Sequence, residues 1–143
     1  MAITQLSVFL ENRPGTLCET IACIRDAGIN IRALSVAETK DFGILRIIVS
    51  DLEKAKEVLN ESTITKETPV IAVKMNDHAG ALSNILEILR DADINIEYVY
   101  AFTGAIQGSA YVVLLVDEIE AAEKTLNQNG VKTLDTNDLT EIL

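Results

Sequence analysis

The sequence predicts an α+β protein built from two βαββαβ units, and an internal repeat is the main reason. Residues 25–31 read RDAGINI and residues 90–96 read RDADINI, so six of the seven positions are identical. Residues 11–17 align with residues 76–82 at the same separation. A repeat of this length indicates a duplicated structural unit. We therefore predict two domains, residues 1–68 and 69–143.

The first strand and helix follow from hydrophobic spacing. Apolar residues alternate over Gln5–Leu10, which is typical of a strand. Asn12 is a favourable N-cap residue, and Pro14 suits a first helical turn. Apolar residues then recur at helical spacing until Gly28, which is suited to the left-handed position after a helix. We predict a strand, a turn and a helix in that order.

The remaining elements are assigned in the same way. In the first copy we expect strands at Ile29–Val36, Ile44–Ser50 and Thr63–Glu67, and a helix capped by Asp51 that runs to Leu59. In the second copy we expect strands at Val70–Met75, Ile94–Thr103, Ser109–Val116 and Val131–Leu134, helices opened by Asp77 and Asp117, and a last helical turn at Leu139–Leu143. Pro69 marks the boundary between the copies, because proline cannot donate into a sheet interior.

This order is the ferredoxin-like, split βαβ arrangement, in which both helices lie on one face of an antiparallel sheet. Two such units side by side would form an eight-stranded sheet and hide one edge of each. We expect a homodimer to cover the edges that remain.

Composition excludes several classes of function. The 143-residue chain has a formal net charge of −10, so its surface would repel duplex nucleic acid. No apolar run approaches the roughly 20 residues that cross a membrane, and the N-terminus lacks the basic region of a signal peptide, so we expect a cytoplasmic protein. Cys18 and Cys23 would lie on different sides of a helix and are interpreted as buried apolar residues, not a disulfide.

The turn between the first strand and the first helix is the candidate site. A glycine lets a ligand approach the backbone, and the open N–H groups of a helix start attract a carboxylate. Asn12, or Asp77 in the second copy, offers an acceptor for an ammonium group. These features suit a free amino acid, although the same residues also make an ordinary helix cap and turn.

The ENRPGTL motif at residues 11–17, followed by GINI at residues 28–31, resembles the ACT domain, in particular the regulatory domain of phosphoglycerate dehydrogenase. The likeness covers residues 3–60 and, more loosely, 70–135. ACT domains are regulatory modules that bind small molecules, most often amino acids, at domain interfaces. Leu10 and Met75 stand where the dehydrogenase-type domain has a histidine.

The resemblance implies a ligand site in each copy, with an asparagine of the second strand reaching the ligand from the neighbouring domain. In the first copy the implied residues are Glu11, Asn12, Arg13, Pro14, Gly15, Thr16, Leu17 and Asn30. In the second copy they are Asn76, Asp77, Ala79, Gly80, Ala81 and Asn95.

A histidine and an aromatic strand are further candidates for a functional role. His78 is the only histidine and is interpreted as a solvated turn residue, so we expect neither catalysis nor a metal site. Tyr98, Tyr100 and Phe102 alternate along one strand and share a face. They fill either the core, a dimer interface or the wall of a ligand pocket.

We expect a non-catalytic regulatory protein without a cofactor, which binds a free amino acid and forms a homodimer. The alternative is a regulatory subunit of an amino-acid biosynthetic enzyme such as acetohydroxyacid synthase, whose small subunits also contain ACT domains. A small enzyme is the third class, but the sequence shows no nucleophile paired with an orienting group.

Overall fold

The chain divides into two compact units in the computed structural model, which describes residues 2–39, 41–104 and 107–142. The N-terminal unit is Thr4–Thr68, and the C-terminal unit is Pro69–Leu143 together with Met1–Ile3. Each unit is ferredoxin-like, with the strands and helices in the predicted order, so the predicted fold class is confirmed.

In the N-terminal unit, β3 lies between β2 and β1 and is antiparallel to both. The elements are β1 (Ile3–Glu11), α1 (Thr16–Asp26), β2 (Ile31–Glu38), β3 (Phe42–Val49), α2 (Leu52–Asn60) and the start of β4 (Ile64–Asn76). The alternation predicted from the sequence holds in β1, where Leu6, Val8 and Leu10 face the helices. They pack with Ile24 of α1 and Leu59 of α2, so both helices cover the same face.

The C-terminal unit repeats this arrangement with the strand order β7-β4-β6-β5, all antiparallel. Its further elements are α3 (Ala81–Asp91), β5 (Ile96–Ala101), β6 (Ser109–Val116), α4 (Ile119–Gln128), β7 (Thr133–Leu134) and α5 (Thr136–Ile142). Ile85 and Leu89 of α3 and Leu126 of α4 pack on Val73 and Leu114 of the sheet. The helical turn predicted at Leu139–Leu143 is found as α5, which begins three residues earlier, at Thr136. Leu143 lies outside the described residues.

The described residues contain seven strands instead of the eight expected, because β4 runs without a break through the predicted boundary. Pro69 lies two residues before Ile71, the first residue of β4 that pairs with β6. Its missing N–H group therefore removes no hydrogen bond from that ladder.

None of the helices among the described residues is long and apolar enough to cross a membrane.

Candidate functional site

Both strand–helix turns end at a glycine in a left-handed conformation. Gly15 has a φ of 90° and Gly80 a φ of 89°, and each is the N-cap residue of the helix that follows. The prediction that Asn12 and Asp77 would cap these helices is therefore wrong, as is the placing of Pro14 in the first helical turn. The turn is longer than the sequence suggested, so the helices begin at Thr16 and Ala81.

Backbone hydrogen bonds fold the two turns in the same way. The N–H of Arg13 donates to the carbonyl of Glu11 at 3.0 Å, and the N–H of Thr16 donates to the carbonyl of Arg13 at 3.4 Å. In the second copy, the N–H of His78 donates to Asn76 at 3.0 Å, and that of Ala81 donates to His78 at 3.3 Å. The duplicated sequence therefore makes a duplicated turn.

Each helix starts with open backbone donors because its N-cap residue has no side chain. Glycine supplies no capping oxygen, and no other side-chain cap is formed. The N–H groups of Leu17 and Cys18 in α1, and of Leu82 and Ser83 in α3, have no acceptor among the described residues. Such groups carry partial positive charge and favour an anion.

A groove of about 540 Å³ lies beside the first turn, within the N-terminal unit. We call it the first groove. It is lined by Phe9, Leu10, Glu11, Arg13, Thr16, Glu19, Thr20, Cys23 and residues 60–64, which connect α2 to β4. Its volume lies within the range usual for small-molecule sites.

The charges that line the first groove are mostly acidic. Glu11 and Glu19 hold Arg13 between them, with nitrogen–oxygen distances of 3.1 and 3.6 Å. Glu61 is a third carboxylate in the lining. The groove therefore offers acceptors to an ammonium group close to helix N–H donors for a carboxylate.

A second groove, of about 390 Å³, lies at the equivalent place in the C-terminal unit. It is lined by Lys74, Met75, Asn76, His78, Gly80, Ala81, Asn84, Ile85 and residues 129–132, which connect α4 to β7. His78 is exposed, as predicted, and its Nδ1 lies 2.9 Å from the carbonyl oxygen of Ala79.

The structure brings part of each predicted site into these grooves. Glu11, Arg13 and Thr16 line the first groove, whereas Asn12, Pro14, Gly15 and Leu17 belong to the same turn without lining it. Asn76, Gly80 and Ala81 line the second groove, whereas Asp77 and Ala79 do not.

Asn30 and Asn95 lie elsewhere in their units, where each helix leads into the following strand. They line two further cavities, of about 290 and 540 Å³. The backbone N–H of Asn30 donates to Oγ of Ser50 at 3.0 Å, and that of Asn95 donates to Oδ1 of Asp117 at 3.1 Å. Because Asp117 makes this bond, Glu118 is the N-cap residue of α4 instead. That Asn30 and Asn95 each contact a ligand bound to the neighbouring domain stays a prediction.

Sequence reasoning missed the groove residues that come from elsewhere in the chain. Residues 60–64 and 129–132 reach the turns only through the packing of the second helix of each unit. A local signal did exist on α1, where Thr16, Glu19, Thr20 and Cys23 follow helical spacing and form one face.

The cysteines also differ from the prediction. Cys18 and Cys23 are free and exposed, because the buried stripe of α1 runs through Thr20 and Ile24. Cys23 lines the first groove, and Cys18 does not. Among the described residues, no group of three or more His, Cys, Asp or Glu side chains is placed to hold a metal ion.

Aromatic residues of β5, of the position that follows it and of β6 form a separate feature. The ring centroids of Tyr98 and Tyr100 lie 6.2 Å apart, and those of Phe102 and Tyr111 lie 5.9 Å apart. None of these residues lines the first or the second groove.

Two ferredoxin-like units, each with a groove beside a glycine turn, define a tandem α+β domain pair. A family model described as an ACT domain pair matches residues 1–143. The chain belongs to this family, and the resemblance to ACT domains is confirmed.

Solved structures extend the comparison. Protein BT0572 from Bacteroides thetaiotaomicron is 36% identical, with a TM-score of 0.90 over 97% of this chain and 96% of that one. The regulatory subunit of aspartate kinase from Thermus thermophilus, in a ligand-free form, is 14% identical, with a TM-score of 0.65 over 87% of this chain and 91% of that one. This second likeness shows the fold alone. No curated protein sequence matches the chain.

Proposed function

We propose that this chain is a non-catalytic regulatory protein that binds a free amino acid in the groove beside each strand–helix turn. One observation carries the proposal: both units present an uncapped helix start, a left-handed glycine and a groove at equivalent places. The glycine is kept in both copies although Asn12, Arg13 and Pro14 of the first turn are replaced by Asp77, His78 and Ala79 in the second.

The ligand carboxylate binds at the edge of the first groove, at the open N–H groups of Leu17 and Cys18, which belong to the helical turn that Thr16 begins. The ammonium group binds the carboxylates of Glu11 or Glu19. A zwitterion satisfies both ends at once, whereas a simple anion would be repelled by the acidic lining. The domain ranges 1–68 and 69–143 are part of this proposal, and the two compact units support them.

Alkylation of the two cysteines tests the first groove directly. Both cysteines are exposed, but only Cys23 lines the groove, so the reactivity of Cys18 is the reference for that of Cys23. We expect a bound amino acid to slow the modification of Cys23 by iodoacetamide much more than that of Cys18, whose side chain lies outside the groove lining. The protein is first freed of ligand, each amino acid is then added, and modification is measured by mass spectrometry.

Calorimetry with glycine variants assigns the sites. Gly15→Ala disturbs the first turn and Gly80→Ala the second, so each change should weaken binding in its own groove and leave the other groove unchanged. If none of the twenty amino acids gives heat or protects Cys23, the proposed function is wrong.

We also propose that the protein forms a homodimer. Among the described residues, β2 ends the strand order of the N-terminal unit and β5 that of the C-terminal unit, so both are edge strands. Leu34 and Val36 of β2 are exposed apolar residues beside this edge. Analytical ultracentrifugation should give twice the chain mass of 15.6 kDa, and a monomer at all concentrations would contradict the proposal.

A second candidate is a regulatory subunit of an amino-acid biosynthetic enzyme. Its support is the shared fold with the regulatory subunit of aspartate kinase. The tagged protein should then retain such an enzyme from a lysate of its source cells, and the amount retained should change when the ligand is added. Recovery of the chain alone would favour a free-standing sensor.

A further inference from the structure

The two grooves differ in chemistry although they occupy equivalent places. Phe9 in the first copy corresponds to Lys74 in the second, at the offset of 65 residues that aligns the turns. Strand register adds a second pair: Glu11 lies opposite Phe42, and the equivalent Asn76 lies opposite Ser109. At two positions, an aromatic ring in the first copy is thus replaced by a polar side chain in the second.

A mainly apolar pocket of about 450 Å³ adjoins the first groove, shares Phe9 and Ile64 with it, and is also lined by Asp41. The rings of Phe9 and Phe42 meet edge to face, with centroids 5.9 Å apart. Phe42 is 39% exposed and Ile64 is 74% exposed, so both keep apolar surface in contact with water. An apolar ligand group placed there would remove this surface from water, which is favourable.

The apolar pocket is also close to the donors and acceptors of the turn, because Glu11 and Leu10 line it together with the first groove. A molecule with a charged end at the helix start can therefore place a side chain against Phe42. The volume of the pocket is sufficient for a side chain of the size of leucine.

The second groove is cationic. Continuing the register of β4 and β7 places Lys74 opposite Lys132, and the N–H of Lys74 donates to the carbonyl of Lys132 at 3.1 Å. Like charges directly opposite each other destabilise a strand pair. Lys132 is partly compensated by Asp138, at 3.5 Å, whereas Lys74 forms no ion pair within the described parts of the chain.

No carboxylate belongs to the described lining of the second groove, in contrast to the three of the first. This cationic lining occurs in a unit whose sequence is strongly acidic, with four Lys or Arg against twelve Asp or Glu in residues 70–143. An anionic group bound between Lys74 and Lys132 would offset their repulsion.

We infer that the two grooves select different classes of amino acid: the first takes one with an apolar side chain, and the second takes one with an acidic side chain. This inference rests on the proposed function and assigns a ligand class to each of its sites. The protein would then respond to two chemically different amino acids, whereas two identical sites would respond to only one.

The test is a titration of the ¹⁵N-labelled full chain with leucine, aspartate and serine, read at the backbone amides of Leu17 and Leu82. Leucine should shift Leu17 at lower concentration than Leu82, and aspartate should do the reverse. Serine, which has neither an apolar nor a charged side chain, should not discriminate.

Variants separate the two preferences. Phe42→Ser should weaken leucine binding in the first groove about tenfold and leave aspartate binding in the second unchanged. Lys74→Gln should weaken aspartate binding in the second groove about fivefold, whereas Lys74→Arg should retain it. Added salt should weaken aspartate binding more than leucine binding.

Equal affinity of each groove for leucine and aspartate would overturn the inference and leave the proposed function standing. The same holds if the preferences survive Phe42→Ser and Lys74→Gln. If no amino acid shifts the amide of Leu17 or that of Leu82, both the inference and the proposed function are wrong.

Discussion

Replacing Gly15 or Gly80 by alanine places a Cβ atom in a backbone conformation that L-residues rarely adopt. The φ angles are 90° and 89°. A Cβ atom at Gly15 would meet only Oε1 of Glu19, at 3.8 Å, and one at Gly80 would meet nothing within 4 Å. The cost is therefore backbone strain and not a steric clash, and we expect about 1–2 kcal/mol for each change.

Gly43→Ala is the matched control. Gly43 lies in β3 and has no positive φ, and a Cβ atom there would make an ordinary contact of 3.7 Å. All three changes lower the entropy of the unfolded chain equally, so the difference between Gly43→Ala and the other two isolates the strain.

The assay is thermal unfolding followed by circular dichroism, with urea unfolding as a second measure. For a chain of this length, 1–2 kcal/mol corresponds to a difference in Tm of about 3–7 °C. If Gly15→Ala and Gly80→Ala unfold at the same temperature as Gly43→Ala, the turns do not need a left-handed residue, and the description of both sites fails.

Two further predictions concern helix starts. The side chain of Asp51 accepts a hydrogen bond from the N–H of Lys54 at 3.1 Å, so Asp51→Ala should lower the free energy of unfolding by about 1 kcal/mol. Glu118 occupies the matching position on α4 without such a bond, so Glu118→Ala should change it much less in the same urea titration. A hydrogen bond from the N–H of Asp135 to the carboxylate of Asp138 lowers the pKa of Asp138. Because its pKa is lowered, the carboxylate stabilises the folded state above the ordinary carboxyl pKa, and this stabilisation is lost as the pH falls through the lowered value. Asp138→Asn should therefore flatten the acid side of the plot of stability against pH. Equal acid profiles for the two proteins would contradict this reading.

Local sequence determined much of the fold because its signals act over a few residues. The alternation in β1 and the helical spacing in α1 bury the expected faces, and Asp51 caps α2 as predicted. The duplication also identified both turns, since RDAGINI and its repeat fix the alignment. Each of these features depends on neighbours within about one turn of helix or a few strand residues.

Where the local sequence allowed two interpretations of a helix start or a strand end, the tertiary structure showed which one is correct. Asn12 and Gly15 are both plausible N-cap residues, and only the folded turn shows that the helix begins after Gly15. Asp117 is a good capping residue, but it bonds the N–H of Asn95 instead. Pro69 was predicted to separate two strands, yet it lies within β4, before the residues that pair with β6.

The sequence by itself therefore determined the repeat, the order of elements and the two glycine turns, since all of these are encoded in short-range patterns. Only the tertiary structure decided what lines each groove, because residues 60–64 and 129–132 come from the far end of each unit. It also decided the contrast in chemistry between the two grooves, because only strand register places Phe42 and Lys74 beside the turns. Burial and register depend on partners distant in the chain, and local spacing does not encode them.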